Sequence, residues 1–174
     1  MTDVLIRAAR REDAPALAAL AATTFRAAYS AGQQAETERY IAEHYGPAIQ
    51  AAELEDPRLA YLVVELEGAL IGFAMLESAD GHPAVRASNP VRLSRIYVAP
   101  SHLGGGIGGR LMERCIAEAE VARHDVMWLS VWSENLRAVA FYERWGFATV
   151  GEMTFDYGGD PQLDFVMSRP IQTG

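Results

Sequence analysis

One stretch constrains the fold more than any other: Leu129-Ser130-Val131-Trp132-Ser133-Glu134-Asn135-Leu136-Arg137-Ala138-Val139-Ala140-Phe141-Tyr142-Glu143-Arg144-Trp145-Gly146-Phe147. It begins inside Val126–Trp132, a nearly continuous apolar run, as expected of a strand buried on both faces. A polar turn follows, and then a helix over Ser133–Trp145. Gly146 closes that helix, because helices commonly end on a glycine in the left-handed conformation. Phe147 opens a new strand that runs to Tyr157. Alternation of this kind demands a sheet whose faces are covered by helices.

The rest of the chain extends the pattern. Val4–Ala9 predicts a strand. Ala14–Tyr29 predicts a helix with Leu17, Leu20, Thr24 and Ala28 on one face, Asp13 as its N-cap and Pro15 in its first turn. Gln33–His44 predicts a second helix that ends near Gly46-Pro47, and Ala51–Asp56 an added turn. Leu59–Leu66 and Leu70–Glu77 read as a hairpin joined by Glu67-Gly68. Ala79–Pro90 is a loop and Val91–Val98 a strand stopped by Ala99-Pro100. Ile107–Arg123 is a helix with Ile107, Leu111, Cys115 and Ala119 at every fourth position, and Leu163–Ser168 is the closing strand. The order β-α-α-β-β-β-α-β-α-β-β describes an α/β chain, a mixed sheet of about seven strands flanked by about four helices.

Between the strand at Val98 and the helix at Ile107 lies Gly104-Gly105-Gly106-Ile107-Gly108-Gly109. Glycines at the start of a helix let the backbone approach an anion, and the unpaired N–H groups there favour negative charge. The run also satisfies the dinucleotide fingerprint G-x-G-x-x-G, with Asp125 at the spacing of a ribose ligand. That match is false: Asp125 starts its strand instead of ending one, and several strands precede the turn.

Composition excludes other chemistries. The chain has 174 residues, which argues for one domain over 1–174, and no apolar stretch long enough for a membrane helix. Arg10-Arg11 before the apolar Pro15–Ala22 is interrupted by Glu12 and Asp13, so it reads as a helix start and not a secretion signal, and the protein is expected in the cytoplasm. All 15 basic residues are Arg; with no Lys there is no Schiff-base or phosphate-loop lysine. A net charge of −8 argues against nucleic acid as partner. Ten acids and two arginines lie between Glu36 and Asp80, either a solvated face or a lure for a cationic substrate. Cys115 faces inward on its helix as a core residue, and the four His lack metal-ligand spacing, so no metal is expected.

The Leu129–Phe147 pattern, with Ile96-Tyr97-Val98-Ala99-Pro100 and the glycine turn before it, resembles the GNAT family of acetyl-CoA-dependent N-acetyltransferases. The tail Gly151–Met167 is similar to the PaiA-type subgroup, whose members are linked to spermidine and spermine acetylation. The resemblance implies a GNAT fold, acetyl-CoA as co-substrate and a small primary amine, possibly a polyamine, as acceptor. A homodimer is common among relatives. A peptide acetyltransferase and a non-catalytic acyl-CoA sensor remain alternatives.

Carried over residue by residue, Leu103, Gly104, Gly105, Gly106, Ile107, Gly108 and Gly109 would hold the CoA pyrophosphate through main-chain N–H groups. Ile96, Tyr97 and Val98 would pair with the pantetheine amides, and an N–H near Ile96 would face the thioester oxygen. Asn135 and Ala138 would lie beside the pantetheine arm, and Tyr142 would be the general acid for the thiolate. The family's turn opens with Gln or Arg and often carries a basic residue inside; Leu103 and Gly105 stand there, so side-chain help to phosphate is lost. Relatives carry acids on the strand before Ile96, where this chain has Arg92 and Ser94; Glu77 on the preceding strand is the nearest candidate base.

Overall fold

The computed structural model describes residues 3–29, 33–79 and 81–172. Asp80, the last acid of the Glu36–Asp80 run, lies outside the described residues. Seven strands and five α-helices follow one another as β1 (Leu5–Ala8), α1 (Ala14–Tyr29), α2 (Gln34–His44), α3 (Pro47–Glu55), β2 (Leu59–Leu66), β3 (Ala69–Glu77), β4 (Pro90–Val98), α4 (Ile107–Val121), β5 (Val126–Trp132), α5 (Leu136–Arg144), β6 (Ala148–Tyr157) and β7 (Asp160–Pro170). The strands form one sheet in the order β1-β2-β3-β4-β5-β7-β6. Every neighbouring pair is antiparallel except β4 and β5.

Four local features differ from the sequence expectations. The turn at Ala51–Asp56 is the end of a full helix, α3, which starts at Pro47 because proline suits a first helical position whose N–H needs no partner. Asp13 does not cap α1. Its carboxylate accepts the Arg10 N–H (2.6 Å) and both Arg7 amino groups (2.8 and 2.9 Å), tying β1 to the entry of α1. Helix α5 starts at Leu136, since the Asn135 side chain accepts the Ala138 N–H (3.2 Å) and caps it there. Strand β7 is longer than Leu163–Ser168 because it pairs along its length with β5 on one side and β6 on the other. The hairpin turn stands as expected: Glu67 and Gly68 both have positive φ (50° and 82°).

Each face of the sheet carries its own core. On one, Leu111, Met112 and Cys115 of α4 pack on Ala74, Leu93, Met127 and Leu129, and α5 closes over the same side. On the other, Leu17 and Phe25 of α1, Ile41 of α2 and Tyr45 pack on Val63, Phe73, Met75 and Tyr157. Cys115 is fully buried, and burial pushes its thiol up to about 12, so it is an inert core residue.

What positions the site is a defect in the sheet. Parallel pairing of β4 with β5 stops at Arg92–Trp128. Just beyond, the β3–β4 register jumps from Leu76–Leu93 to Met75–Arg95 and leaves Ser94 as an extra residue. Such a bulge bends its strand. From there β4 keeps only β3 as a neighbour and β5 keeps only β7, so the sheet is open between Leu93–Val98 and Leu129–Trp132.

Candidate active site

A cleft of about 690 Å³ occupies this opening, walled by β4, the glycine turn, α5, the end of β5 and the C-terminal part of α1. Its floor is bare backbone. Ala99 donates its N–H to Ile71 O (2.7 Å), towards β3. Alternation along an antiparallel strand then turns the amides and carbonyls of Ile96 and Val98 the other way, into the cleft. Their side chains join the core on the α4 face, while Tyr97 joins the core on the α1 face.

The glycine turn forms one end. Gly104 and Gly106 have φ of 83° and 77°, and a Cβ on either would meet nothing within 4 Å. Glycine is needed there for the left-handed backbone and not for room. Gly106 caps α4 without a side chain, so the first N–H groups of the helix, at Ile107, Gly108 and Gly109, are open to a ligand, and these residues line the cleft. Leu103, Gly104 and Gly106 line it as well; Gly105 does not. Arg137 and Arg144 of α5, with His102, border the cleft. Sequence reading passed over them because two exposed arginines on a short helix look like a solvated face. An open helix N-terminus, flanking guanidinium groups and an unpaired strand edge suit a pyrophosphate followed by an amide-bearing arm, which is the chemistry of CoA.

Tyr142 and Ala138 line the same wall, next to Asn135. The Tyr142 ring is fixed edge-on to Phe141 (5.5 Å) and Phe147 (5.8 Å). Burial pushes its phenol well above the usual tyrosine range, so it is protonated at neutral pH. Across the cleft, Tyr29 and Tyr97 are raised in the same way.

Glu77 does not border the cleft. It faces Arg92 across the β3–β4 ladder, and its carboxylate accepts the Ser94 hydroxyl (3.0 Å), so it reaches the cleft only through Ser94. Arg92 donates to Ser130 Oγ (3.2 Å) and lies over the Trp128 ring at 4.9 Å. Trp132 packs on Tyr29 (6.2 Å) at the same end. Within the acidic run, Glu38, Glu53, Glu55, Asp56 and Glu65 are ion-paired with Arg26, Arg95, Arg11, Arg58 and Arg7, and no acid from it lines the cleft among the described residues. Asp125 accepts the Ser88 and Asn89 N–H groups (2.6 and 2.9 Å), so it anchors the loop before β4. No group of His, Cys, Asp and Glu able to hold a metal occurs among the described residues.

Sequence and structure comparisons agree with this geometry. The family model described as "Acetyltransferase (GNAT) family" matches residues 15–147. An uncharacterized N-acetyltransferase of Mycobacterium tuberculosis is 34% identical over 160 residues, 91% of this chain and 98% of the relative. The spermine/spermidine N(1)-acetyltransferase of Bacillus subtilis is 30% identical over 91 residues, 52% of this chain and 60% of the relative. Among solved structures, the PaiA N-acetyltransferase of Thermoplasma acidophilum in complex with coenzyme A superposes with a TM-score of 0.77 at 21% identity, covering 97% of this chain and 99% of that one. A strand edge freed by a bulge, a glycine turn opening a helix and a match over most of the chain coincide, and the chain belongs to the GNAT acetyltransferase family.

Proposed function

We propose that this N-acetyltransferase, whose acetyl donor is acetyl-CoA, binds the donor along the β4–β5 opening and transfers the acetyl group directly to a primary amine. The observation that carries the reading is the free β4 edge at Ile96 and Val98, running from the glycine turn to Tyr142. The pyrophosphate lies on the N–H groups of 106–109 with Arg137 and Arg144 beside it, and the pantetheine amides pair with β4. A neutral amine attacks the thioester carbon, and the N–H of Ile96 faces the developing oxyanion. The C–S bond then breaks, the Tyr142 phenol gives its proton to the departing thiolate, and the proton that the nitrogen loses as the amide forms restores the phenol.

Residues 1–174 form one domain in this reading, acting in the cytoplasm; no described helix is long and apolar enough to cross a membrane. A polyamine is the favoured acceptor, supported by the similarity to the Bacillus subtilis spermine/spermidine enzyme and to the PaiA structure. A peptide or amino-acid acceptor is the second reading. It is favoured by the similarity to the N-alpha-acetyltransferase RimI of Mycobacterium tuberculosis, 31% identical over 105 residues.

The test is release of CoA thiol from acetyl-CoA with spermidine, spermine, amino acids, aminoglycosides and short peptides. Release with a polyamine alone supports the favoured acceptor, and release with peptides or amino acids moves the assignment to the second. Binding of CoA with no release from any amine overturns the catalytic reading in favour of a sensor.

A further inference from the structure

An alkyl amine has a pKa of about 10, so it reaches the cleft as an ammonium at neutral pH and cannot attack until a proton leaves. No carboxylate lines the cleft among the described residues. Of the aliphatic hydroxyls that do, Thr24 Oγ1 is committed to its own helix, donating to Leu20 O (2.9 Å). Ser130 Oγ accepts from the Arg92 guanidinium (3.2 Å), a cation that repels another. His102 stands at the far end, on the approach to the glycine turn. Ser94 differs from all of these: it lines the cleft and donates its hydroxyl proton to Glu77 Oε2 (3.0 Å).

The bulge puts Ser94 there. It is the residue of β4 that has no partner on β3, and β5 has already parted from β4 at Arg92. Leu76, Leu93 and Ile96 belong to the core on the α4 face, and strand alternation turns Glu77, like Met75, to the α1 face. The bond to Glu77 therefore holds the Ser94 hydroxyl on the α1 side of the opening, away from the glycine turn and α5. A hydroxyl that donates to one group keeps its lone pairs for another donor, and an ammonium N–H is such a donor. Ser94 stands two residues before Ile96, about 7 Å along the strand, so an amine bonded to it is within reach of a thioester whose oxygen meets the Ile96 N–H. Glu77 ends β3 and is partly exposed, so water reaches the carboxylate behind the hydroxyl.

We propose that Ser94 takes the acceptor's proton and passes its own to Glu77. The step rests on the acetyl-transfer reading above. An N–H bond of the ammonium breaks and its proton goes to Ser94 Oγ; in the same step the Ser94 O–H bond breaks and its proton goes to Glu77 Oε2. The electron pair left on nitrogen attacks the thioester carbon. Glu77 then loses its proton to water, and the Ser94 hydroxyl turns back to it. The charged groups around the pair are Arg92 across the β3–β4 ladder, Arg58 just before β2, and the Arg95–Glu53 ion pair (2.9 Å) beside Ser94. The arginines keep their charge throughout the range of the test.

The experiment measures kcat/KM for the amine that the wild-type enzyme turns over fastest, from about pH 7 to the amine's own pKa of about 10. At neutral pH, Ser94→Ala and Glu77→Gln are each expected to lower it about 100-fold and Ser94→Thr to stay within about threefold, with acetyl-CoA affinity by calorimetry and the melting temperature unchanged. The double variant is expected to be no worse than either single one, because both act in one relay. The deficit should close towards the amine's pKa, where the amine arrives neutral; the Tyr142 phenol, held above its usual range by burial, is still protonated there. A deficit equal at every pH, or one that comes with lost CoA affinity and melting temperature, overturns the assignment, since a purely structural hydroxyl behaves that way. So do single variants within about threefold of wild type at neutral pH, or a double variant that multiplies the single losses. In each of these cases acetyl transfer stands. A wild-type enzyme that binds CoA but turns over no amine overturns the transfer reading, and this one with it.

Discussion

Tyr142 and Asp13 show two ways in which a single side chain carries consequences here. The Tyr142 ring is held by Phe141 and Phe147, so its packing does not depend on the hydroxyl. Tyr142→Phe should therefore lower kcat by about 100-fold while leaving the acetyl-CoA dissociation constant nearly unchanged, measured by thiol release and by calorimetry. Asp13 is a stability residue. The Arg7 guanidinium, helped by the Arg10 N–H, holds its carboxyl below the usual aspartate range, and the pair is mostly buried. A depressed folded-state pKa means that the stabilisation is complete above the unfolded value of about 4 and is lost as pH falls through the folded one. Asp13→Asn should cost about 2 kcal/mol at neutral pH and flatten the acid side of the stability curve, measured by denaturant melts across pH. Tyr142 and Asn135 were legible in the sequence because they stand in a motif with fixed spacing. Arg137 and Arg144 were not, because exposed arginines on a short helix carry no such motif, and only the packing of α5 beside the glycine turn brings them to the cleft.

Among the elements, the turn between β4 and α4 shows that a local run can dictate its own conformation. Gly104 and Gly106 adopt the left-handed backbone that their lack of a Cβ permits, and α4 begins where the run ends. Gly106→Asp puts a Cβ on a left-handed backbone, at a cost of about 1 kcal/mol, and an anion beside the proposed pyrophosphate site. The expected outcome is separation of the two effects: a melting temperature within a few degrees of wild type, and acetyl-CoA affinity lowered about tenfold or more. A parallel loss of both would make the turn a purely structural connection. Helix α3 escaped the sequence reading because Gly46-Pro47 is both a stop for α2 and a start for α3, and only a chain that packs against α1 and β2 decides between the two. The bulge at Ser94 was equally invisible: it is a relation between two strands, and Val91–Val98 alone looks continuous.

At the scale of the whole molecule, the two cores are built on opposite faces of the same strands, so neither can be lost alone. Near-ultraviolet and far-ultraviolet signals should follow one unfolding transition, and saturating acetyl-CoA at about 100 times its dissociation constant should stabilise the fold by about 2.7 kcal/mol. Two separated transitions would divide the chain into independent units and overturn the one-domain reading. The sequence by itself determined every element type but that of α3, together with the glycine turn, the helix that carries Tyr142 and hence the family, because these depend on side-chain periodicity and on backbone conformations that neighbouring residues dictate. The tertiary structure alone decided that β4 parts from β5 beyond Arg92, that Arg137 and Arg144 border the cleft beside the glycine turn, and that Glu77 stops short of it. Those outcomes depend on strand register and burial, which arise between residues far apart in the chain and have no period to read.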